Sequence, residues 1–324
     1  MKNLIIWALL LGGIAYGGAK FYLHHKVESG LDSAVIMMSP YAELTYEGVS
    51  STMSGKLTVN GLRAHIKGFS DEIHVDRVGI DTPSFLTLLE LGDITAGRRL
   101  SGSDFPKYIG FIVEGMRLPV SADYYERIYE LGVDMLGAAD IPDINEPGVR
   151  CVGKYGFSPA TLADLGYDEQ MVSFAMYLSK SGPSELIKMT ATVDEMWDVD
   201  VDLTLARDTQ AASTNDAMAR RNLSQLKFVL TDRSLNERVS DYCEQLGLSP
   251  EETLQAQLDA LQFFGESNGI VFDEYVIDPY KEYLAGKSTL VVTAQPSNPV
   301  NLTQIGLYKP SDVPALLNLS ATAQ

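Results

Sequence analysis

Ile187-Lys-Met-Thr-Ala-Thr-Val193 and Trp197-Asp-Val-Asp-Val-Asp-Leu-Thr-Leu205 decide the fold class of this chain. Ile187, Met189, Ala191 and Val193 alternate with Lys188, Thr190 and Thr192, and Trp197, Val199, Val201, Leu203 and Leu205 alternate with Asp198, Asp200 and Asp202. A period of two puts each apolar set on one face of a strand. A three-residue loop, Asp194-Glu195-Met196, keeps both sets on the same face and sets Lys188 across from Asp202. A two-residue loop turns one set to solvent and is rejected. The pair is an antiparallel hairpin. Asp198-Val-Asp-Val-Asp202 is then the wet face of a strand. As a calcium loop it fails at the sixth position, Leu203, and at the twelfth, Thr209.

Further strands and helices extend outward from this hairpin. Glu43–Tyr46, Lys56–Asn60, Met171–Leu178 and Lys227–Leu230 read as strands. Residues 63–76 read as a hairpin centred on Phe69-Ser70, pairing Ile66 with Ile73 and Ala64 with Val75. The other face then pairs Lys67 with Glu72, His65 with His74 and Arg63 with Asp76, and its two opposite-charge pairs favour that register. Ser121–Leu136, Asn236–Leu246, Ser249–Phe264 and Tyr275–Leu284 show helical spacing. Ser249-Pro-Glu-Glu252 combines a cap, a first-turn proline and acids against the dipole. Gly247-Leu-Ser-Pro250 echoes Gly156-Phe-Ser-Pro159, each a few residues after a cysteine. Residues 140–150 read as a long loop and 207–222 as a surface helix or linker. The class is α+β, with antiparallel sheets and packed helices.

Asn3–Ala19 carries no charge, with Lys2 before it and Lys20, His24, His25 and Lys26 after. Leu4–Leu23 supplies the roughly 20 apolar residues that a roughly 30 Å hydrocarbon core demands, if Lys20 snorkels to the headgroups. Trp7, Tyr16, Phe21 and Tyr22 are placed as interfacial anchors. The expectation is one N-terminal transmembrane helix, a single-pass signal-anchor with the body outside the cytoplasm. The alternative is a cleaved secretory signal and a secreted or periplasmic protein. The expected organisation is 1–26 signal-anchor, 27–40 stalk and 41–324 extracytoplasmic body, with a subdivision near 140–150.

The chain has net charge −18; its first 26 residues hold three lysines and no acid, so the remainder carries −21. Such a surface repels phosphate backbones and anionic lipid headgroups, which argues against nucleic acid as a partner and against the body lying flat on the bilayer. A hydrophobic content of 45% fits a packed core rather than disorder. Cys151 and Cys243 are the two cysteines. A bridge between them, closing a 92-residue loop, is worth about 4–5 kcal/mol in the chain-entropy model. Two separate buried thiols are the other reading, since sequence does not set the Cα separation.

The search for chemistry names no catalytic, cofactor-binding or metal-binding residue. His65 and His74 form a surface pair without a third ligand. Ser224-Gln-Leu-Lys227 lacks the companion motifs of the serine–lysine enzymes, and Gly48–Lys56 lacks phosphate-loop spacing. Phe263, Phe264, Phe272 and Tyr275, with Tyr280 and Tyr283, form an aromatic cluster that lines either a core or an apolar ligand groove.

The N-terminal apolar segment is followed by Tyr46-Glu-Gly48, by Ser54-Gly-Lys-Leu-Thr-Val-Asn-Gly-Leu62, and by the strand Glu72–Ile80. Over these roughly 60 residues the layout resembles AsmA-like and YdgA-like Gram-negative envelope proteins. The resemblance implies a periplasmic body on an inner-membrane anchor, with a curved sheet suited to lipids or other envelope proteins. The helices after residue 120 depart from an all-β groove, and no functional residue carries across. The expected function is a non-catalytic envelope protein binding a partner protein or an apolar or lipid ligand. The alternatives are an extracytoplasmic carboxylate-dependent hydrolase and a structural spacer.

Overall fold

Val193 pairs with Trp197 and Lys188 with Asp202, so the 187–205 hairpin has the register that its alternation demands. The computed structural model describes residues 2–94, 106–135, 146–182, 184–206 and 221–324, without the side chains of 2–16, 92–94, 132–135 and 302–303. The chain forms two compact units, Met1–Met116 and Arg117–Gln324, with an α+β architecture built on antiparallel sheet. Of the loop read at 140–150, residues 140–145 lie outside the described residues, whereas Pro147–Cys151 form a short helix; of the segment 207–222, residues 207–220 lie outside the described residues.

The first unit begins with helix α1 (Lys2–Met38), followed by strands β1 (Ala42–Thr45), β2 (Gly48–Ser51), β3 (Lys56–Ile66) and β4 (Glu72–Asp81). Helix α2 (Phe85–Ile94) and strand β5 (Tyr108–Pro119) come next. β3 is central, with β1 and β2 on one side and β4 on the other. The stretch read as a stalk continues α1. Val27 packs with Leu23, Phe85 and Leu88, and His24 Nε2 lies 2.8 Å from Ser51 Oγ. Among the described residues no helix is long and apolar enough to cross a membrane. The side chains of 2–16, which the transmembrane expectation needs, lie outside the description.

The β3–β4 register differs from the expected one by two residues: Ala64 pairs with Ile73, Arg63 with His74 and His65 with Glu72. Gly68 is the reason. It sits at φ 95°, the conformation wanted at the third position of a turn, and the Phe69 N–H donates to the Ile66 carbonyl at 3.1 Å. The strand pairing is centred on Gly68-Phe69, one residue earlier than Phe69-Ser70, which shifts each pair by two and leaves each face unchanged. His65 and His74 are not opposite each other, and no three-residue metal-ligand group occurs among the described residues.

The second unit opens with helices α3 (Asp123–Met135), α4 (Pro147–Cys151) and α5 (Pro159–Asp164). Strands β6 (Glu169–Ser181), β7 (Ser184–Val193), β8 (Trp197–Ala206) and β9 (Asn222–Asp232) then run as an antiparallel meander. Helices α6 (Leu235–Gln245), α7 (Pro250–Ser267) and α8 (Glu274–Leu284) precede β10 (Thr289–Ala294), β11 (Val300–Asn301), α9 (Val313–Leu317) and β12 (Leu319–Ala323). β10 pairs with both β9 and β12. Both Gly-x-Ser-Pro motifs are helix starts. Ser158 accepts from the Thr161 N–H, and Ser249 forms a reciprocal capping box with Glu252.

Cys151 and Cys243 are joined in a disulfide with Cα atoms 5.3 Å apart, fully buried in a cluster with Val193, Met196, Val239 and Tyr242. The apolar face of β7 also carries Glu185, 1% exposed and held by Arg221 Nη2 at 2.8 Å. A buried ion pair is costly to break from one side only. Arg221→Met is expected to lower the unfolding free energy by about 3 kcal/mol, and Glu185→Leu combined with Arg221→Met to restore most of it, read by urea denaturation. In the first unit, a Cβ at Gly55 (φ 97°) would lie 2.4 Å from the Thr82 carbonyl oxygen, whereas one at Gly68 meets nothing within 4 Å. Gly55→Ala is therefore expected to cost about 2–4 kcal/mol and Gly68→Ala only about 1 kcal/mol, in the same assay.

Candidate apolar ligand site

The core of the second unit is not continuous over the sheet. One buried cluster surrounds the disulfide and includes Val239, with Trp197, Leu235, Val152 and Phe157 packed against it. A second centres on Val276, Tyr283 and Leu290, with Leu230 and Tyr280 against it. Between them lies a cavity of about 260 Å³. Its floor is Trp197 and Val199 of β8 and Leu230 of β9. Its roof comes from α6 (Leu235, Asn236, Val239), α7 (Gln257, Ala260) and α8 (Tyr280, Tyr283), and Val152 and Phe157 close one side.

Period two on the strands and the three-to-four spacing on the helices aim these residues at one another. Trp197 and Val199 are alternate residues of β8. Tyr280 and Tyr283 are three apart on α8, with ring centroids 6.1 Å apart. Ala260 is the small residue on α7 that leaves the volume open. The polar groups in the wall are few: the Asn236 and Gln257 amides and the two phenols. A largely apolar, half-open cleft with sparse polar groups is a common form of a small-molecule site.

The site also has a defined electrostatic character. Burial pushes the Tyr280 phenol up to about 12. Tyr283 is raised further by burial and then by the charge of Asp232, with the Asn236 amide pulling the other way. Both phenols are neutral donors at physiological pH. Asp232 accepts the Asn236 backbone N–H at 3.0 Å, yet burial raises its carboxyl above the ordinary 3.8, against the lowering by the Asn236 and Leu235 backbone N–H groups. A second cavity, of about 230 Å³, lies beside the disulfide and is lined by Tyr129, Arg150, Tyr155, Ser158 and Thr161. Its guanidinium is already engaged, 2.9 Å from Asp164, which also accepts from the Tyr242 hydroxyl at 2.8 Å.

The aromatic cluster of the sequence divides. Tyr280 and Tyr283 line the cavity, while Phe263 packs edge-on against Tyr155 at 4.9 Å. Phe272 lies against Gly265 and the second core cluster, and Phe264 and Tyr275 are exposed at 63% and 75%. Phe263, Phe264, Phe272 and Tyr275 therefore do not form one wall. Trp197 and Val199 were visible as an inward strand face. Asn236, Gln257 and Ala260 carry no local signal, because they meet only through the packing of separate helices.

Residues 185–324 match the model of a family described as "Uncharacterized protein". No curated protein matches the chain. The matched span contains the cavity walls from β8 to α8 and leaves out Val152 and Phe157.

The raised Asp232 carboxyl makes a signed prediction. A carboxyl whose folded pKa exceeds its unfolded one stabilises the fold when protonated. That contribution is complete below pH 3.8 and is lost as pH rises through the higher folded value. Urea midpoints measured from pH 4 to 7 should thus fall more steeply for the wild type than for Asp232→Asn, which keeps the acceptor and removes the charge. Parallel profiles would refute the assignment.

Proposed function

We propose that this chain is a membrane-tethered, non-catalytic protein of the bacterial cell envelope whose periplasmic body binds a small apolar molecule. The observation that carries the reading is the cavity of about 260 Å³ between two core clusters, floored by Trp197, Val199 and Leu230. For scale, an engineered cavity of roughly 150 Å³ lined by apolar residues stays dry and takes up benzene. The AsmA-like and YdgA-like resemblance, which covers the first unit alone, implies a sheet suited to lipids or to other envelope proteins and supports the envelope location.

Other features support the location. The uncharged stretch Asn3–Ala19 lies within α1, and a buried disulfide suits an oxidising compartment. Phe21 and Tyr22 on α1 are exposed at 74% and 54%, close to where the helix meets the body through Leu23. Aromatic side chains of this kind favour the headgroup layer.

The chain has two tryptophans, Trp7 and Trp197, so Trp7→Phe leaves one reporter in the cavity floor. With N-phenyl-1-naphthylamine as probe, binding is expected to change Trp197 emission with a micromolar Kd. Ala260→Leu fills the cavity; it should weaken that binding at least tenfold and raise stability by about 0.5–2 kcal/mol. Unchanged affinity in Ala260→Leu, or a silent Trp197, would sink the ligand-binding reading. Recovery of the native protein wholly in the soluble fraction after cell lysis would remove the tether.

A further inference from the structure

One end of the first unit combines exposed apolar side chains with a lack of acids. Phe21 and Tyr22 of α1 are exposed at 74% and 54%; Met53 of the β2–β3 turn and Leu86 of the first turn of α2 are each exposed at 69%. The Phe85 N–H donates to the Met53 carbonyl at 3.3 Å, which sets that turn beside the start of α2. Residues 17–26, 52–56 and 82–87 meet here and hold three lysines, two histidines and no aspartate or glutamate, in a chain of net charge −18. Asp81 and Glu114 border this end, and both lie at Lys56: Asp81 as its partner in the β3–β4 register, Glu114 at 3.6 Å.

Helix α1 fixes the level of these residues. The Tyr46 hydroxyl donates to Asp32 Oδ1 at 3.0 Å, and Ser51 Oγ lies 2.8 Å from His24 Nε2. The chain from Tyr46 to Ser51 therefore runs toward the N-terminal end of α1. Two further extended residues carry Met53 about 7 Å beyond Ser51. On a helix that is about four or five residues, which reaches the level of Ala19 and Lys20. Ala19 lies against the cluster of Leu23, Phe85 and Leu88, so the first turn of α2 comes to the same level. The uncharged stretch Asn3–Ala19 ends there. Because α1 is one helix through this point, whatever surrounds that stretch also reaches Met53 and Leu86.

We propose that the β2–β3 turn and the first turn of α2, with Phe21 and Tyr22, form a lipid-docking face through which the first unit sits on a bilayer. Met53 and Leu86 enter the headgroup layer beside α1, and Lys20 reaches the phosphates on its long stem. The chain's net negative charge keeps its other surfaces off anionic headgroups, so the unit stands on this one end rather than lying flat. A protein partner would also suit the apolar side chains, but only the bilayer has its position set by α1. The inference rests on the tethered reading of α1 and adds the surface by which the body meets the lipid.

The two native cysteines are bonded to each other and buried, so Met53→Cys, Leu86→Cys and Ile36→Cys each add a single thiol for an NBD label. Ile36 is 72% exposed on α1, about 24 Å along the helix from Lys20, and serves as the control. Each full-length labelled chain is reconstituted with phosphatidylcholine vesicles, with and without doxyl-phosphatidylcholine, and floated on a sucrose gradient. The labels at positions 53 and 86 should lose emission to the nitroxide lipid, while the label at position 36 keeps it. Retained emission at 53 or 86 in chains that float with the vesicles would overturn the docking face while the tether stands. This holds whether the label is in water or, by a blue-shifted spectrum, under a partner protein or a second copy. Equal loss at position 36 would mean that the body lies flat, and would overturn the docking face as well. Chains that fail to float would overturn the tether and the docking face together.

Discussion

The β7–β8 register is the constraint on which the second unit depends. With Val193 opposite Trp197, every inward residue of β7 and β8 shares one face, and that face must be covered. Three helices, α6 to α8, supply the cover from a single stretch of chain between β9 and β10. Their placement is fixed at two separate places. Near one end of the sheet, Cys243 of α6 is bonded to Cys151 within the first core cluster; elsewhere, Val276 and Tyr283 of α8 pack with Leu290 of β10. Helices held in this way need not meet in the middle. The cavity is the volume where they do not, and Ala260 of α7 is too small to fill it.

That origin explains why the empty space is tolerated. Cavities in a packed core cost stability, in T4 lysozyme by about 24 cal/mol for each Å³ left unfilled. Here the two flanking clusters are complete in themselves, and one of them is cross-linked. Ala260 and the two amides form part of the intervening wall, and Trp197 is part of the floor. A cross-link that limits the unfolded ensemble stabilises the whole unit by several kcal/mol. A fold so reinforced can keep an incompletely packed seam, and such a seam is where selection can place a ligand.

How much of this was legible in the sequence depends on the range of the interaction. The 187–205 hairpin is encoded by residues adjacent in the chain: alternation sets the faces, and Lys188 with Asp202 sets the register, their side chains 3.8 Å apart. The Ser249 capping box is equally local. The 63–76 hairpin shows how a local rule misleads. Complementary charges each contribute only about 0.2–1 kcal/mol, while Gly68 is a residue that takes positive φ at no steric cost, so the turn outweighs the pairs. Long-range facts were beyond reach. Glu185 looks like a strand-end surface acid until Leu205 is set opposite it and Arg221 beside it. Phe263 and Phe264, being adjacent on α7, must point about 100° apart, so no ligand wall could hold both.

The same reasoning constrains the tether. A membrane span from Leu4 to Leu23 is long enough on its own, but Leu23 is 2% exposed and packs with Phe85 and Leu88, with Ala19 against the same cluster. Those residues are held by the first unit. The stretch left for lipid, Leu4–Gly18, is 15 residues or about 22 Å of helix, short of a roughly 30 Å core. On the tethered reading the deficit must be met by the body itself. Phe21 and Tyr22 would enter the interface, joined by Leu86 and Met53, both 69% exposed; Leu86 follows Phe85 on α2, and the Met53 carbonyl accepts the Phe85 N–H at 3.3 Å. Lys20 would reach back to the phosphates on its long stem. A spacer between membrane and body is then neither available nor needed. The first unit would sit directly on the headgroups despite the acidic surface, held there by apolar contact rather than by charge.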